Sequence, residues 1–208
     1  MLILASASNA RRALLAKAGF AFRVVPSAAR EVRRDTLRAT VVENAKRKAA
    51  AVARKHPVAL VLAADTMISF RGQLFGKPRS RKAAVSLLEA LAGRTHVLGT
   101  GVVLRRGGRE IVRYAASRVT LRRNAPVAKI LGRADPTRFA GGYAIQEGHD
   151  PLVERIAGSR SNVIGLPMEI VAPLLERLGV PRRGCIPHPK NRRGRGADRS
   201  DLSEHGPT

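Results

Sequence analysis

The sequence predicts an α/β protein: a central mixed β-sheet with helices packed around it and a cleft for a ligand. Three observations carry that reading. MLILA at 1–5 is a short apolar run that passes through SASN into a helical pattern. ALVLAAD at 59–65 is a continuous apolar run ending in a carboxylate, as a buried strand would be. HVLGTGVVLRRGGREIVRYAASRVTL at 96–121 reads as two strands joined at RGGR.

Taken in chain order, the first helix runs from about Arg11 to Ala18 and stops at Gly19, with Leu14, Leu15 and Ala18 on one face that can dock on a sheet. FAFRVVPS at 20–27 alternates and carries aromatic and β-branched residues, so it is a strand ending at Pro26. From Leu37 to His56 the chain is rich in Ala, Lys and Arg, with neither Gly nor Pro before Pro57, and forms a long helix with a basic outer face. After the 59–65 strand, MISF, RGQ and LFG make a hairpin. RKAAVSLLEALAG at 81–93 has helical apolar spacing and a glycine stop at Gly93. Residues 125–134 form a short helix, and 161–180 opens as a strand or turn before becoming helical from about Pro167. Beyond Val180 there is too little apolar surface to offset the entropy of ordering, so the expected organisation is one folded unit over 1–180 and a basic, disordered tail over 181–208.

Composition bounds the chemistry. The chain has 208 residues, 44% hydrophobic and 3% aromatic, which is enough for one core built from aliphatic side chains. A formal charge of +24 favours polyanionic partners through surface and tail, or reflects a compositional bias without binding meaning. Cys185 is the single cysteine, which excludes an internal disulfide and any multi-cysteine metal site and fits a reducing, cytoplasmic setting. Arg11, Arg12 and Lys17 interrupt the N-terminal apolar run before it reaches the length of a signal peptide or a membrane span, so no membrane association is expected.

Several residues sit where chemistry is expected. Ser6, Ser8 and Arg11 lie at a strand-to-helix junction and either bind an anion such as phosphate at the helix N-terminus or simply cap that helix. Asp65 at the end of its strand either holds a divalent cation and activates water or caps a turn, and Glu31 is a second acid in an acid-poor chain. Lys48 belongs to the basic helix, whereas Lys77 is directed by its Gly76 and Pro78 neighbours. Gln146 ends the GGYAIQ segment with an amide able to read a base edge, or is part of an ordinary turn. His56 and His96 lack spaced metal-ligating partners and read as structural. There is no GxxxxGK[ST] loop and no GxSxG elbow, which removes two nucleotide and hydrolase classes.

In order along residues 2–180, LASASNAR at 4–11, PSAARE at 26–31, AKRKA at 45–49, ADT at 64–66, GKP at 76–78, LAGRTH at 91–96, AGGYAIQ at 140–146 and SNVIGLP at 161–167 resemble the Maf family of nucleoside triphosphate pyrophosphatases. The resemblance implies a Maf/ITPase-like fold with a nucleotide-binding cleft. It also implies hydrolysis of a nucleoside triphosphate between its α and β phosphates with a divalent metal, Mg or Mn, and a nucleoside triphosphate and a homodimer mate as partners. By the same resemblance Asp65 accepts the proton of the attacking water, Asp65 and Glu31 hold the metal, and Ser8, Arg11, Lys48 and Lys77 surround the phosphates. Positions 10, 66 and 146 set the base. Thr66 and Gln146 match the dTTP/UTP branch, while Ala10 stands where that branch has arginine, and Arg12 points about 100° away from Arg11 on a helix. Phe139 replaces a usual lysine beside Arg138, and Arg30 replaces an aspartate that commonly precedes the family glutamate. The alternative reading is a nucleic-acid-binding or nucleotide-binding regulatory protein with little or no hydrolysis.

Overall fold

A computed structural model describes residues 1–125, 127, 135–143, 145 and 150–182. Its strands form a single seven-stranded mixed sheet in the order β2-β1-β3-β5-β6-β7, with β4 added to β3. These are β1 (Leu2–Leu4), β2 (Arg23–Val24), β3 (Leu60–Phe70), β4 (Gln73–Phe75), β5 (Thr95–Arg106), β6 (Arg109–Leu121) and β7 (Val153–Ala157). β1 is parallel to both β2 and β3, and the remaining pairs are antiparallel. The helices are α1 (Asn9–Lys17), α2 (Leu37–Ala53), α3 (Arg81–Leu91), α4 (Arg160–Ile164) and α5 (Met168–Arg177). No helix among the described residues is long and apolar enough to cross a membrane.

The α/β class and the mixed sheet stand as expected, but several boundaries move. The first helix starts at Asn9 because Ser8 is its cap, its side chain accepting from the Arg11 amide. Only Arg23 and Val24 of the 20–27 segment pair as a strand, since β1, their partner, is itself three residues long. SNVIGLP folds as helix α4 ending at Gly165 in the left-handed region (φ 119°), not as a strand, because Ser159 caps the turn through the Asn162 amide. β7 is an element that the polar ERIA pattern did not announce. The expected helix at 125–134 and the tail from 183 fall almost wholly outside the described residues, whereas Arg182 belongs to the body: it pairs with Glu176 at 2.6 Å and lies 5.2 Å over the Phe20 ring.

Strand β3 does not end at Asp65. It continues to Phe70, and its two edges differ. One edge pairs with β5 from Val61 through Ser69. The other meets β1 only at Leu60–Leu62 and β4 only from Ile68 onward, so residues 63–67 present an unpaired edge between two short neighbours. That gap places the site. Because alternate residues face opposite sides of a sheet, Asp65 follows Val61 and Ala63 toward α2, and Thr66 follows Leu62 and Ala64 toward α1.

Helix α2 lies unusually close to the sheet. Its Ala45, Ala49 and Val52 pack on Ile3, Val61, Ala63 and Val103, its Leu37 and Val41 pack on Met67, and it crosses β5 at two glycines. A Cβ on Gly101 would sit 2.4 Å from the Val41 carbonyl oxygen, and one on Gly99 2.9 Å from Leu37. Gly101 is the register partner of Asp65, so the same contact that lets the helix approach sets its polar residues above that carboxylate.

Candidate active site

A cavity of about 500 Å³ opens at the unpaired edge of β3. Its lining brings together Ser8, Ala10, Arg11, Glu31, Lys48, Asp65, Thr66 and Lys77, that is, every site residue expected from the sequence except Gln146, which lies outside the described residues. Such a volume suits a nucleotide-sized ligand.

The acids share one ammonium. Lys48 Nζ donates to Asp65 Oδ1 and to Glu31 Oε1, each at 2.6 Å. The two halves of this bridge differ in burial: the Asp65 side chain is 7% exposed and Lys48 14%, whereas Glu31 is 61% exposed. The Asp65 half is desolvated and rigid, and the Glu31 half is bathed by water and open to exchange with another cation. Burial by itself would raise the Glu31 carboxyl, but Lys48, Lys77 and Arg11 together outweigh it and hold the group below the usual glutamate range. Arg30, the departure beside it, points its side chain outward and offers only its carbonyl, to Arg47 Nε at 3.1 Å. Glu31 is therefore in the cavity despite that change.

Arg11 is pinned on the opposite face. Its Nε donates to the Gly165 carbonyl at 2.7 Å, Nη1 to Ser6 Oγ at 3.2 Å and Nη2 to Thr66 Oγ1 at 2.9 Å, while Thr66 Oγ1 also meets Thr100 Oγ1 at 3.0 Å. Three motifs far apart in sequence thus share one guanidinium. Desolvation lowers the Arg11 pKa, against the pull of Asp65 and Glu31.

The remaining cations are held differently. Lys77, Arg33 and Arg138 line the cavity, and their side chains make no hydrogen bond or ion pair among the described residues. The Lys77 ammonium is lowered by desolvation and by the like charges of Arg11 and Lys48, partly offset by Glu31 and Asp65. Arg12 is exposed and absent from the lining, as the helical angle predicts, so Arg33 and Arg138 are the further arginines of the cavity that Ala10 lines. Phe139 also faces the cavity, next to a turn stitched to the GKP segment by the Gly141 amide on the Gly76 carbonyl at 3.0 Å. Tyr143 is buried there, its hydroxyl 2.7 Å from His96 Nε2. Burial drives His96 down to about 4, and burial with the nearby Asp150 carboxylate drives the Tyr143 phenol up. His96 is structural, as expected.

The family pattern described as Maf-like protein matches residues 1–178. The chain belongs to the Maf family. Curated Maf relatives named dTTP/UTP pyrophosphatase are similar over most of their length. That of Myxococcus xanthus is 40% identical over 185 residues, covering 87% of this chain and 94% of the relative. That of Gloeobacter violaceus is 40% identical over 178 residues, with 84% and 94% covered. That of Moorella thermoacetica is 42% identical over 185 residues, with 86% and 95% covered.

Sequence reasoning missed Asn44, Arg33 and Thr100. Asn44 carried a signal: it precedes Lys48 by one helical turn and lies beside Val41 and Ala45, so a polar amide occupies the apolar face of α2. Arg33 and Thr100 carried none, since both depend on how distant segments meet around β3.

Proposed function

We propose that this Maf-family protein is a nucleoside triphosphate pyrophosphatase acting on the α–β phosphate bond, with dTTP and UTP as its preferred substrates. One observation supports this most directly: two carboxylates converge on a single cation inside a cavity otherwise rich in Arg and Lys. A triphosphate needs surrounding positive charge, and an attacking water needs one base close to the phosphorus.

The donor set suits a divalent metal. Asp65 and Glu31 already direct oxygens at one positive centre, and an oxygen-ligating ion such as Mg or Mn is commonly held by one or two carboxylates with substrate phosphates completing its shell. When bound there, the ion neutralises charge building on the phosphate oxygens. Asp65 takes the proton of the water as its oxygen bonds to phosphorus, the bond between the α and β phosphates breaks, and its electron pair leaves with the departing phosphate group. Lys48, bonded to Asp65 and lining the same cavity, would add positive charge beside the phosphates. Arg11, Ser8 and Lys77 receive the anionic chain, with Arg33 and Arg138 adding charge at the mouth.

For the base, Thr66 is fixed by Arg11 and Thr100, whereas Ala10 brings no donor to the same wall. The preference for dTTP and UTP rests on the names of the relatives and on Thr66. Pyrophosphate release from dTTP, UTP, the purine triphosphates and modified pyrimidine triphosphates, with Mg²⁺, Mn²⁺ or chelator, tests the reading. The expected result is metal-dependent release, fastest with dTTP or UTP. No release from any triphosphate would refute it. The unpaired mouth cations and the charge of +24 also favour attraction to polyanions, expected as inhibition by duplex DNA that disappears with added salt.

A further inference from the structure

The polar residues of α2 form a ladder. Thr40, Asn44 and Lys48 follow one another at four-residue spacing on a helix face that otherwise buries Val41, Ala45 and Ala49. Each rung grips a different part of the segment leading into the helix. Thr40 Oγ1 accepts from the Arg34 amide at 3.0 Å and donates to the Arg34 carbonyl at 3.2 Å. Asn44 Oδ1 accepts from the Val32 amide at 2.8 Å, and its Nδ2 donates to the Val32 carbonyl at 3.1 Å. Lys48 takes Glu31.

The middle rung also reaches across to the strand. Asn44 Nδ2 donates its second hydrogen to Asp65 Oδ2 at 3.1 Å, while Lys48 occupies Oδ1, so both carboxylate oxygens are engaged from one helix. Asn44 is 2% exposed, which leaves no water to replace a lost partner cheaply. Only a primary amide of this length donates twice and accepts once in that arrangement. An apolar side chain would strand the Val32 amide and carbonyl, and an aspartate would face the Asp65 carboxylate with a second one.

We infer that Asn44 is a positioning residue that fixes the orientation of the Asp65 carboxylate and locks the Glu31 segment to it, so that both acids meet the substrate as one unit. The inference rests on the pyrophosphatase reading above. It assigns Asn44 a role in the chemical step and not in gathering the substrate, because its hydrogen bonds go to Val32 and Asp65, whereas the cavity cations Arg11, Lys77 and Arg138 stand on segments it does not touch.

Thr40 supplies the control, since it holds the same segment one turn earlier without any hydrogen bond to Asp65 among the described residues. The test is steady-state dTTP hydrolysis by wild type, Asn44→Leu and Thr40→Val with Mg²⁺, beside melting curves. Asn44→Leu is expected to lower kcat about a hundredfold while KM stays within about threefold, the pattern of a misplaced catalytic group with binding kept. Thr40→Val is expected to melt earlier with kcat within about threefold of wild type. If Asn44→Leu does not fold, Asn44→Ser, which leaves room for water at Val32, carries the same comparison. Equal kcat losses in the Asn44 and Thr40 variants, or a loss confined to KM, would overturn the inference. An active wild type with an unaffected Asn44 variant overturns it alone, whereas a wild type that releases no pyrophosphate overturns the functional reading and the inference together.

Discussion

On the α2 side of the cavity, Asp65, Asn44, Lys48 and Glu31 are joined by hydrogen bonds of 2.6–3.1 Å, while elsewhere in the lining the side chains of Lys77 and Arg138, and of Arg33 next to Val32, make no hydrogen bond or ion pair among the described residues. The first wall is organised before a ligand arrives. The second is charge that no direct side-chain contact neutralises. Preorganised groups act on the step that makes and breaks bonds, since they need no rearrangement at the moment of reaction. Cations without a direct side-chain partner act on capture, through attraction that salt weakens. The contrast therefore predicts that substitutions on the first wall lower kcat and those on the second raise KM.

The largest effect should come from Asp65→Asn. It keeps the side-chain shape but removes the base and one member of the shared charge site, so kcat is expected to fall by at least about a thousandfold. Melting should fall while the fold is kept, because the amide oxygen accepts from only one of Asn44 and Lys48 and its NH2 group faces the other donor. Pyrophosphate release and a thermal melt measure both. Wild-type turnover in this variant would remove the first wall from the chemistry altogether.

Gly101→Ala tests whether the first wall depends on how closely α2 approaches. The added Cβ would stand 2.4 Å from the Val41 carbonyl oxygen and 2.7 Å from the Val42 nitrogen, both backbone atoms that cannot step aside singly. The helix must shift as a body, carrying Asn44 and Lys48 with it. Overpacking of this kind costs about 1–3 kcal/mol, and a lower melting temperature with kcat reduced roughly tenfold or more is expected. An unchanged kcat beside a lowered melting temperature would show that the wall tolerates displacement.

Lys77→Met should act on the other wall. Its ammonium is already disfavoured by desolvation and by Arg11 and Lys48, a cost that an approaching triphosphate relieves. KM is expected to rise about tenfold with kcat within about threefold, and the salt dependence of kcat/KM to become shallower. A fall in kcat at constant KM would place Lys77 with the preorganised groups instead.

The two walls were not equally legible in the sequence. Lys48, Asp65 and Lys77 belong to short motifs whose order along the chain carried the family, and the apolar run into Asp65 located the right strand. What the run did not reveal was that β3 continues for five more residues, to Phe70, and that its open edge comes from the shortness of β1 and the late start of β4. Strand length depends on neighbours, and those neighbours are distant in sequence. Arg33 at the mouth was invisible for the same reason. Asn44 was visible in principle as an amide on an apolar helix face, yet its partners are the backbone of Val32 and a carboxylate 21 residues away, which no local pattern specifies. β7 escaped because the adjacent Glu154 and Arg155 are both exposed where its pairing with β6 shifts register, which interrupts the apolar alternation.

One contact qualifies the contrast from the second wall's side. The segment that carries Phe139 to Tyr143 is anchored by the buried pair of His96 Nε2 and the Tyr143 hydroxyl, 2.7 Å apart. His96 is held neutral by burial, its pKa lowered from 6.5 to about 4. In the unfolded chain the imidazole binds a proton below pH 6.5, whereas in the folded protein it does so only near pH 4. The stability this group contributes is therefore complete above about pH 6.5 and is lost progressively as pH falls through the folded value, to a total of about 3 kcal/mol. Melting temperature should fall between pH 6.5 and 4 more steeply in wild type than in His96→Gln, whose amide can still meet the tyrosine hydroxyl without titrating. At pH 8 the two proteins should hydrolyse dTTP within about threefold of each other, because His96 is not among the residues lining the cavity and bonds to no phosphate cation. Parallel pH–melting curves for the two proteins would mean that His96 does not supply the acid sensitivity of this wall.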